Sequence, residues 1–365
     1  MKVLQICSAR LIGGGERYLA DLSNSLAKRG HDIFVALAPD APLKDKLRDV
    51  PKDNILFSRM RNALDVFSAF ELADFVRRNN IEIIHAHLAR DYPLAAFAAR
   101  LAKKPFVLTR HVLFPLKRLQ KLVLKRVSGI VAPSNAIADS LKKQNLFPSK
   151  KITIIHYGIN LEHFSQAEEN QNEIFTVGTI GHLAPIKGHD VFIRAAEIVL
   201  KKQLDIRFIL DIRFIIVGED KSRTGKNRLE LEEQIAKSGW QSKIELAGWT
   251  DDVRPFLQKF DLFVSAARAE AFGLVIIEAM LHEIPVIATR SEGASEIIED
   301  GASGILIPNE DAETLAKTIL ELFDDKDKRE HLSRNGRQRV VEHFSLETMV
   351  SKTEEFYRCV LEKTV

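Results

Sequence analysis

The chain has 365 residues, 45% of them apolar and 28% charged, a balance that fills globular cores and excludes a disordered chain. Domains of about 100 to 200 residues make two domains the expectation. The longest apolar run, Leu204 to Val217, is broken by Asp205, Arg207, Asp211 and Arg213, which excludes a membrane span of roughly 18 apolar residues, and two cysteines, Cys7 and Cys359, at opposite ends exclude a disulfide framework and a thiolate zinc site.

In chain order, short β-branched or apolar runs alternate with stretches of helical period, the pattern of βα units with buried parallel strands. Strands are predicted at Lys2–Cys7, Asp32–Leu37, Ile81–His85, Phe106–Thr109, Gly129–Ala132 and Ile152–His156. A second set falls at Phe175–Gly181, Phe214–Gly218, Lys243–Ala247, Leu262–Ser265, Pro285–Ala288 and Gly304–Ile307. Between the sets, Ser165–Glu173 is polar and without apolar period, as a linker is. The expected domains are therefore 1–165 and 166–345. A C-terminal amphipathic helix at 346–365, with Met349, Phe356, Val360 and Leu361 among its apolar positions, has no packing partner that the sequence identifies. The tandem LDIRFI at 204–209 and 210–215 is too short for a repeat architecture and supplies one strand. Two doubly wound, Rossmann-like α/β sheets facing a cleft place a ligand beyond the carboxyl ends of their strands.

The net charge of +3 conceals a division. Residues 1–165 carry 27 Lys and Arg against 14 Asp and Glu, and the remainder 26 against 36. The first half is thus suited to an anionic partner. Arg110, Lys117, Arg118, Lys121, Lys125 and Arg126 alternate with Leu113, Phe114, Leu116, Leu119, Leu122 and Val123, a basic amphipathic pattern that fits an anionic membrane surface as well as an ordinary packed helix. A nucleic acid is disfavoured, because neither an aromatic stacking series nor a helix-turn-helix pattern accompanies the charge. The N-terminal apolar run is too short for a secretory signal. A cytoplasmic chain is expected, peripheral on the inner face of the cytoplasmic membrane.

Three segments hold chemistry. Gly13-Gly14-Gly15-Glu16 follows the first strand and opens a helix; glycines there let backbone amides approach a phosphate or a sugar hydroxyl, although the spacing is not GxGxxG. Gly181 to Gly188, with His182 and Lys187, follows the strand from Phe175, where a lysine can neutralise a diphosphate. In the stretch from Asp261 to Met280, a buried strand ends at Ser265, a loop holds Arg268 and Glu270, and a helix opens near Phe272. Eight residues are slightly more than two helical turns, so Glu270 and Glu278 flank amides that suit phosphate oxygens while the carboxylates suit sugar hydroxyls. Glu278 lies inside the apolar run FGLVIIEAML, where a carboxylate needs a partner.

With GGGER, RGHDI, IIHAHLA, IGHLAPIKG, EAFGLVIIEAM and IPVIATRSEGASEIIEDGASGILIP in that order, the chain resembles the retaining GT-B glycosyltransferases of family 4, the group 1 glycosyltransferases, over about residues 1 to 325. It most resembles the bacterial enzymes of lipopolysaccharide cores and other envelope glycans. The resemblance implies a nucleotide-sugar donor, a UDP-sugar first among them, and a glycolipid or glycan acceptor such as lipopolysaccharide core. It gives the ribose hydroxyls to Glu278 and the hydroxyls of the transferred sugar to Glu270. The distal phosphate falls to the amides of Phe272, Gly273 and Leu274 together with Lys187. Gly14 and Gly15 approach the donor phosphate or the acceptor, and His111, after a first-domain strand, stands beside the reacting sugar.

Three departures bear on donor identity. His182 occupies the place of a family arginine, so that Arg268 or a hydrogen bond from His182 must compensate; Tyr157-Gly158-Ile159-Asn160 replaces an Asn-Gly-Val-Asp motif; and Glu292-Gly293 replaces a Gly-Gly pair. The implied mechanism is a same-face displacement in which a leaving phosphate oxygen takes the acceptor's proton. The sequence lacks a clear Asp-x-Asp metal motif, so neither a metal nor another cofactor is expected. A sugar-nucleotide epimerase of the same architecture and a basic nucleic-acid-binding protein are the competing readings.

Overall fold

The computed structural model describes residues 1–62, 65–116, 120, 124–145, 147–163, 174–205 and 211–363. The predicted linker Ser165–Glu173 and most of the first LDIRFI copy lie outside them. So do Lys117, Arg118, Lys121, Leu119, Leu122 and Val123 of the basic amphipathic segment.

Two compact units result, Met1–Gly158 with Leu346–Val365, and Ile159–Ser345. In the first, the strands β1 (Lys2–Cys7), β2 (Asp32–Leu37), β3 (Ile55–Phe57), β4 (Ile83–Ala86), β5 (Phe106–Thr109), β6 (Gly129–Ala132) and β7 (Ile152–Ile154) form a parallel sheet in the order β3-β2-β1-β4-β5-β6-β7. The helices α1 (Gly14–Lys28), α2 (Val66–Arg78), α3 (Tyr92–Ala102) and α4 (Asn135–Lys143) connect them. In the second, β8 (Phe175–Ile180), β9 (Ile212–Val217), β10 (Ile244–Gly248), β11 (Leu262–Ser265), β12 (Val286–Thr289) and β13 (Ile305–Ile307) are parallel in the order β10-β9-β8-β11-β12-β13. Its helices are α5 (His189–Asp205), α6 (Lys226–Ser238), α7 (Arg254–Leu257), α8 (Leu274–Leu281), α9 (Glu292–Ile297), α10 (Ala312–Asp324) and α11 (Lys326–His343). The second LDIRFI copy supplies β9.

Strands buried on both faces explain the unalternating runs: β2, β4, β5 and β12 have almost no exposed position. The short edge strand β3 escaped sequence reading, because three residues bounded by polar turns carry no period. The C-terminal helix α12 (Leu346–Glu362) packs on the first unit, with Met349, Phe356 and Val360 buried. It comes so close to β6 that a Cβ at Gly129 would stand 2.6 Å from the Phe356 ring. Arg29 and His31 hold its outer face through Glu354, at 2.8 and 2.7 Å. Cys7 is buried and its thiol pKa is pushed up to about 12 by burial, whereas Cys359 is exposed.

Both sheets are doubly wound, and in each the strand order reverses once, between β1 and β4 and between β8 and β11. Loops at the carboxyl ends of those adjacent strands must splay apart, and the crevice so made is where such sheets take ligands.

Candidate functional site

In the second unit the reversal brings together the loop after β8 and the loop after β11. Lys187, in a single 3-10 turn Pro185–Lys187, donates to Glu270 Oε2 across 2.6 Å. Both side chains are partly buried, at 27% and 14% exposure. Two residues chosen 83 positions apart in sequence thus share one spot. Gly188 closes the turn at φ +67°, and a Cβ there would meet the Ala266 carbonyl at 1.9 Å, so the two loops touch through a position open only to glycine.

Gly273 caps α8 at φ +109°, and the helix starts at Leu274, two residues later than the sequence suggests. The start of α8 is a positive dipole end of the kind that suits an anion. Gly293, the second residue of the departed Gly-Gly pair, lies directly beneath: its N–H donates to the Glu270 carbonyl at 2.9 Å, and a Cβ would meet the Phe272 carbonyl at 2.4 Å. Phe272 is buried, with its ring edge against Phe344. Glu278 is half-buried along α8 between the buried Ile277 and Ala279.

Arg268 does something other than the compensation suggested from sequence. Its guanidinium grips both oxygens of Asp190 at 2.9 and 2.8 Å, donates to Glu310 at 2.5 Å and to the Pro185 carbonyl, and its own N–H bonds the Ile186 carbonyl. Two carboxylates raise its pKa further. The fork is committed to clamping the turn that presents Lys187. His182 does not supply a second cation either: burial, then Lys221 and Lys187, push its pKa down, so the ring is neutral. Its Nδ1 is buried and unbonded, and the ring stacks on Trp249 at 5.7 Å and 8°. Lys221 lies 4.9 Å over the same indole. Sequence reasoning passed over Lys221 and Trp249, because each is a single residue in a polar turn; their place after β9 and β10, beside the reversal, is the signal that was available.

In the first unit the reversal gathers the glycine turn and three histidines. Glu16 reaches back to the Gly13 amide at 2.9 Å, closing the start of α1, whose first residue is Gly14. Gly15 lies against the His111 ring, with its missing Cβ 3.1 Å from Cγ. His111 Nδ1 is 2.5 Å from the Tyr157 hydroxyl, and its Nε2 is 3.3 Å from His87 Nδ1. Tyr18 closes the cluster, 5.3 Å from His111 and 5.1 Å from Tyr157. Burial, then Arg110, lower the His111 pKa to about 3. Arg110 itself is buried, its side chain bonded to the Phe114 carbonyl, so it does not belong to a membrane-facing stripe; Phe114, at 70% exposure, faces solvent. Among the described residues, no helix is long and apolar enough to cross a membrane.

A paired parallel-sheet fold with a cation, a carboxylate and a helix start at one strand reversal defines a GT-B α/β protein. A family profile described as glycosyl transferases group 1 matches residues 160–339, and one described as glycosyltransferase family 4 matches residues 12–163. The chain belongs to the family 4, group 1 glycosyltransferases. It is 26% identical to the capsular polysaccharide biosynthesis glycosyltransferase CapM of Staphylococcus aureus, with 93% of each chain covered. It is 24% identical to an Escherichia coli UDP-Gal:alpha-D-GlcNAc-diphosphoundecaprenol alpha-1,3-galactosyltransferase, covering 98% of this chain and 96% of that one. The fold matches Anabaena Alr3699/HepE, solved with UDP and glucose, at a TM-score of 0.85 and 22% identity, over 98% and 99% of the two chains.

Proposed function

We propose that the chain transfers a sugar from a UDP-sugar to a hydroxyl of a cell-envelope glycolipid or polysaccharide, such as lipopolysaccharide core, with retention at the anomeric carbon and without a metal. The observation that carries this reading is the Lys187–Glu270 pair, 2.6 Å apart beside the start of α8. A cation, an acceptor for sugar hydroxyls and a row of helix amides are what a diphosphate-linked sugar requires. The Staphylococcus and Escherichia relatives, one concerned with capsule and the other with a UDP-linked hexose, support the donor and acceptor classes.

On this reading Lys187 and the amides of Phe272, Gly273 and Leu274 hold the diphosphate. Glu270 takes the hydroxyls of the transferred sugar and Glu278 those of the ribose. The bond from anomeric carbon to diphosphate breaks, the acceptor oxygen bonds the same face, and the acceptor proton passes to the leaving phosphate. His111, with Gly14 and Gly15, borders the reacting sugar. The basic excess of residues 1–165 suits an acceptor anchored in an anionic membrane, on which the protein is peripheral.

Thermal shift with UDP, GDP, ADP and their sugars tests the donor class. UDP and one UDP-sugar are expected to stabilise the wild type and to lose that effect in Glu278→Ala. Stabilisation by GDP or ADP alone would reassign the base, and equal stabilisation of the variant would remove Glu278 from the ribose. Product analysis without acceptor separates transfer from epimerisation.

A further inference from the structure

His111 belongs to a buried chain of hydrogen bonds that runs through the first unit and holds six other side chains that the reaction above does not use. His87 Nε2 is 2.8 Å from Gln5 Oε1, and Gln5 Nε2 is 3.2 Å from the Tyr357 hydroxyl. That hydroxyl is 2.7 Å from His85 Nδ1, whose Nε2 is 2.8 Å from Thr109 Oγ1. Gln5 and His85 are fully buried and His87 is 2% exposed. Buried polar groups at such cost are retained only when every member is paired, and here each of the seven side chains has its neighbour.

The amide of Gln5 gives the chain a direction. A carbonyl oxygen only accepts, so His87 carries its proton on Nε2. A neutral ring then has a bare Nδ1, which accepts from His111 Nε2–H. His111 is left with a bare Nδ1, the atom that the Tyr157 hydroxyl meets. On the far side the Gln5 amide donates to Tyr357, Tyr357 donates to His85 Nδ1, and His85 Nε2–H donates to Thr109. Every donor finds one acceptor in a single sense, with no conflict at either end. Burial keeps the rings neutral: His85 is held at about 3, and His87 well below the ordinary imidazole value.

We infer that Gln5 and His87 are positioning residues that fix His111 as its Nε2–H tautomer, so that its Nδ1 meets a substrate hydroxyl as a hydrogen-bond acceptor once that hydroxyl takes the place of Tyr157. This rests on the reading that His111 borders the reacting sugar. It also limits what His111 does: it receives a hydroxyl, and neither donates to the diphosphate nor charges to meet it.

The test is long-range proton–nitrogen correlation of the full chain labelled at histidine nitrogen, at neutral pH, with His111 assigned by its loss in His111→Asn. The inference expects His111 with a protonated Nε2 and a bare Nδ1. Gln5→Leu, which removes the acceptor, is expected to mix the His111 tautomers and to lower kcat at least tenfold, with the donor KM within twofold. Gln5→Glu, which still accepts from His87, is expected to restore both. A wild-type His111 protonated on Nδ1 overturns the inference without any variant having to fold. So does a Gln5→Leu protein whose His111 spectrum is unchanged. If the tautomer shifts as stated while neither Gln5→Leu nor His111→Asn alters turnover, the positioning stands and the place of His111 beside the sugar falls.

Discussion

The ring of His111 rests on Gly15 so closely that the smallest side chain at 15 would stand 3.1 Å from its Cγ. Gly15 is in the first turn of α1, where alanine is a better helix former than glycine. Gly15→Ala should therefore leave the melting temperature nearly unchanged while pushing His111 by a few tenths of an ångström. A fall in kcat with intact folding is expected; unchanged kcat would show that this contact does not set the ring's working position.

Lys187→Ala leaves Glu270 unpaired at a position only 14% exposed and removes the cation beside the start of α8. Turnover is expected to fall on the order of 100-fold, the usual loss for one preorganised electrostatic group, with a melting temperature within a few degrees of wild type. Near-normal turnover would take Lys187 off the diphosphate.

Arg268→Lys keeps the charge and loses the planar fork that holds both Asp190 oxygens. Because that fork clamps the turn bearing Lys187, the variant should lose about 1 to 3 kcal/mol and bind UDP more weakly. Calorimetric titration with UDP and a melting curve measure the two effects. A variant as stable as wild type but weaker in UDP would mean that Arg268 touches the ligand itself.

Acid should loosen the first unit. His85 titrates at about 3 when folded and near 6.5 in an unfolded chain. The unfolded chain therefore takes up protons in this window that the folded one refuses. Stability is full above about pH 6.5 and declines below it, by at most about 1.4 kcal/mol per pH unit for each such histidine. Melting temperatures between pH 7.5 and 5 are expected to fall, and to fall less in His85→Gln, which keeps a neutral donor and acceptor. A flat profile in the wild type would contradict neutral burial of the ring.

Much of this was legible before folding. Lys187 and Glu270 stand in loops whose strands the apolar runs identified, and neighbouring parallel strands bring such loops together by topology alone. The partners of Arg268 were not legible: Asp190 and Glu310 are ordinary surface carboxylates in sequence, 78 and 42 residues away. The histidine chain left a faint trace. His85 and His87 are two apart, hence on one face of an extended segment, but their partners Gln5 and Tyr357 lie at opposite ends of the chain and no local pattern connects them. The start of α8 fell two residues late because Gly273, in a left-handed conformation, ends the loop where apolar periodicity already suggests helix.

Tyr357, which completes the polar core of the first unit, lies in a helix that follows the whole second unit along the chain. Ribosomal synthesis must therefore deliver the whole uninterrupted second unit before the opening sheet can bury Gln5 and His85 against their final neighbour. The first unit is thus completed only after the second, and a nascent chain stalled before residue 346 would leave Gln5 and His85 without the hydroxyl that pairs them.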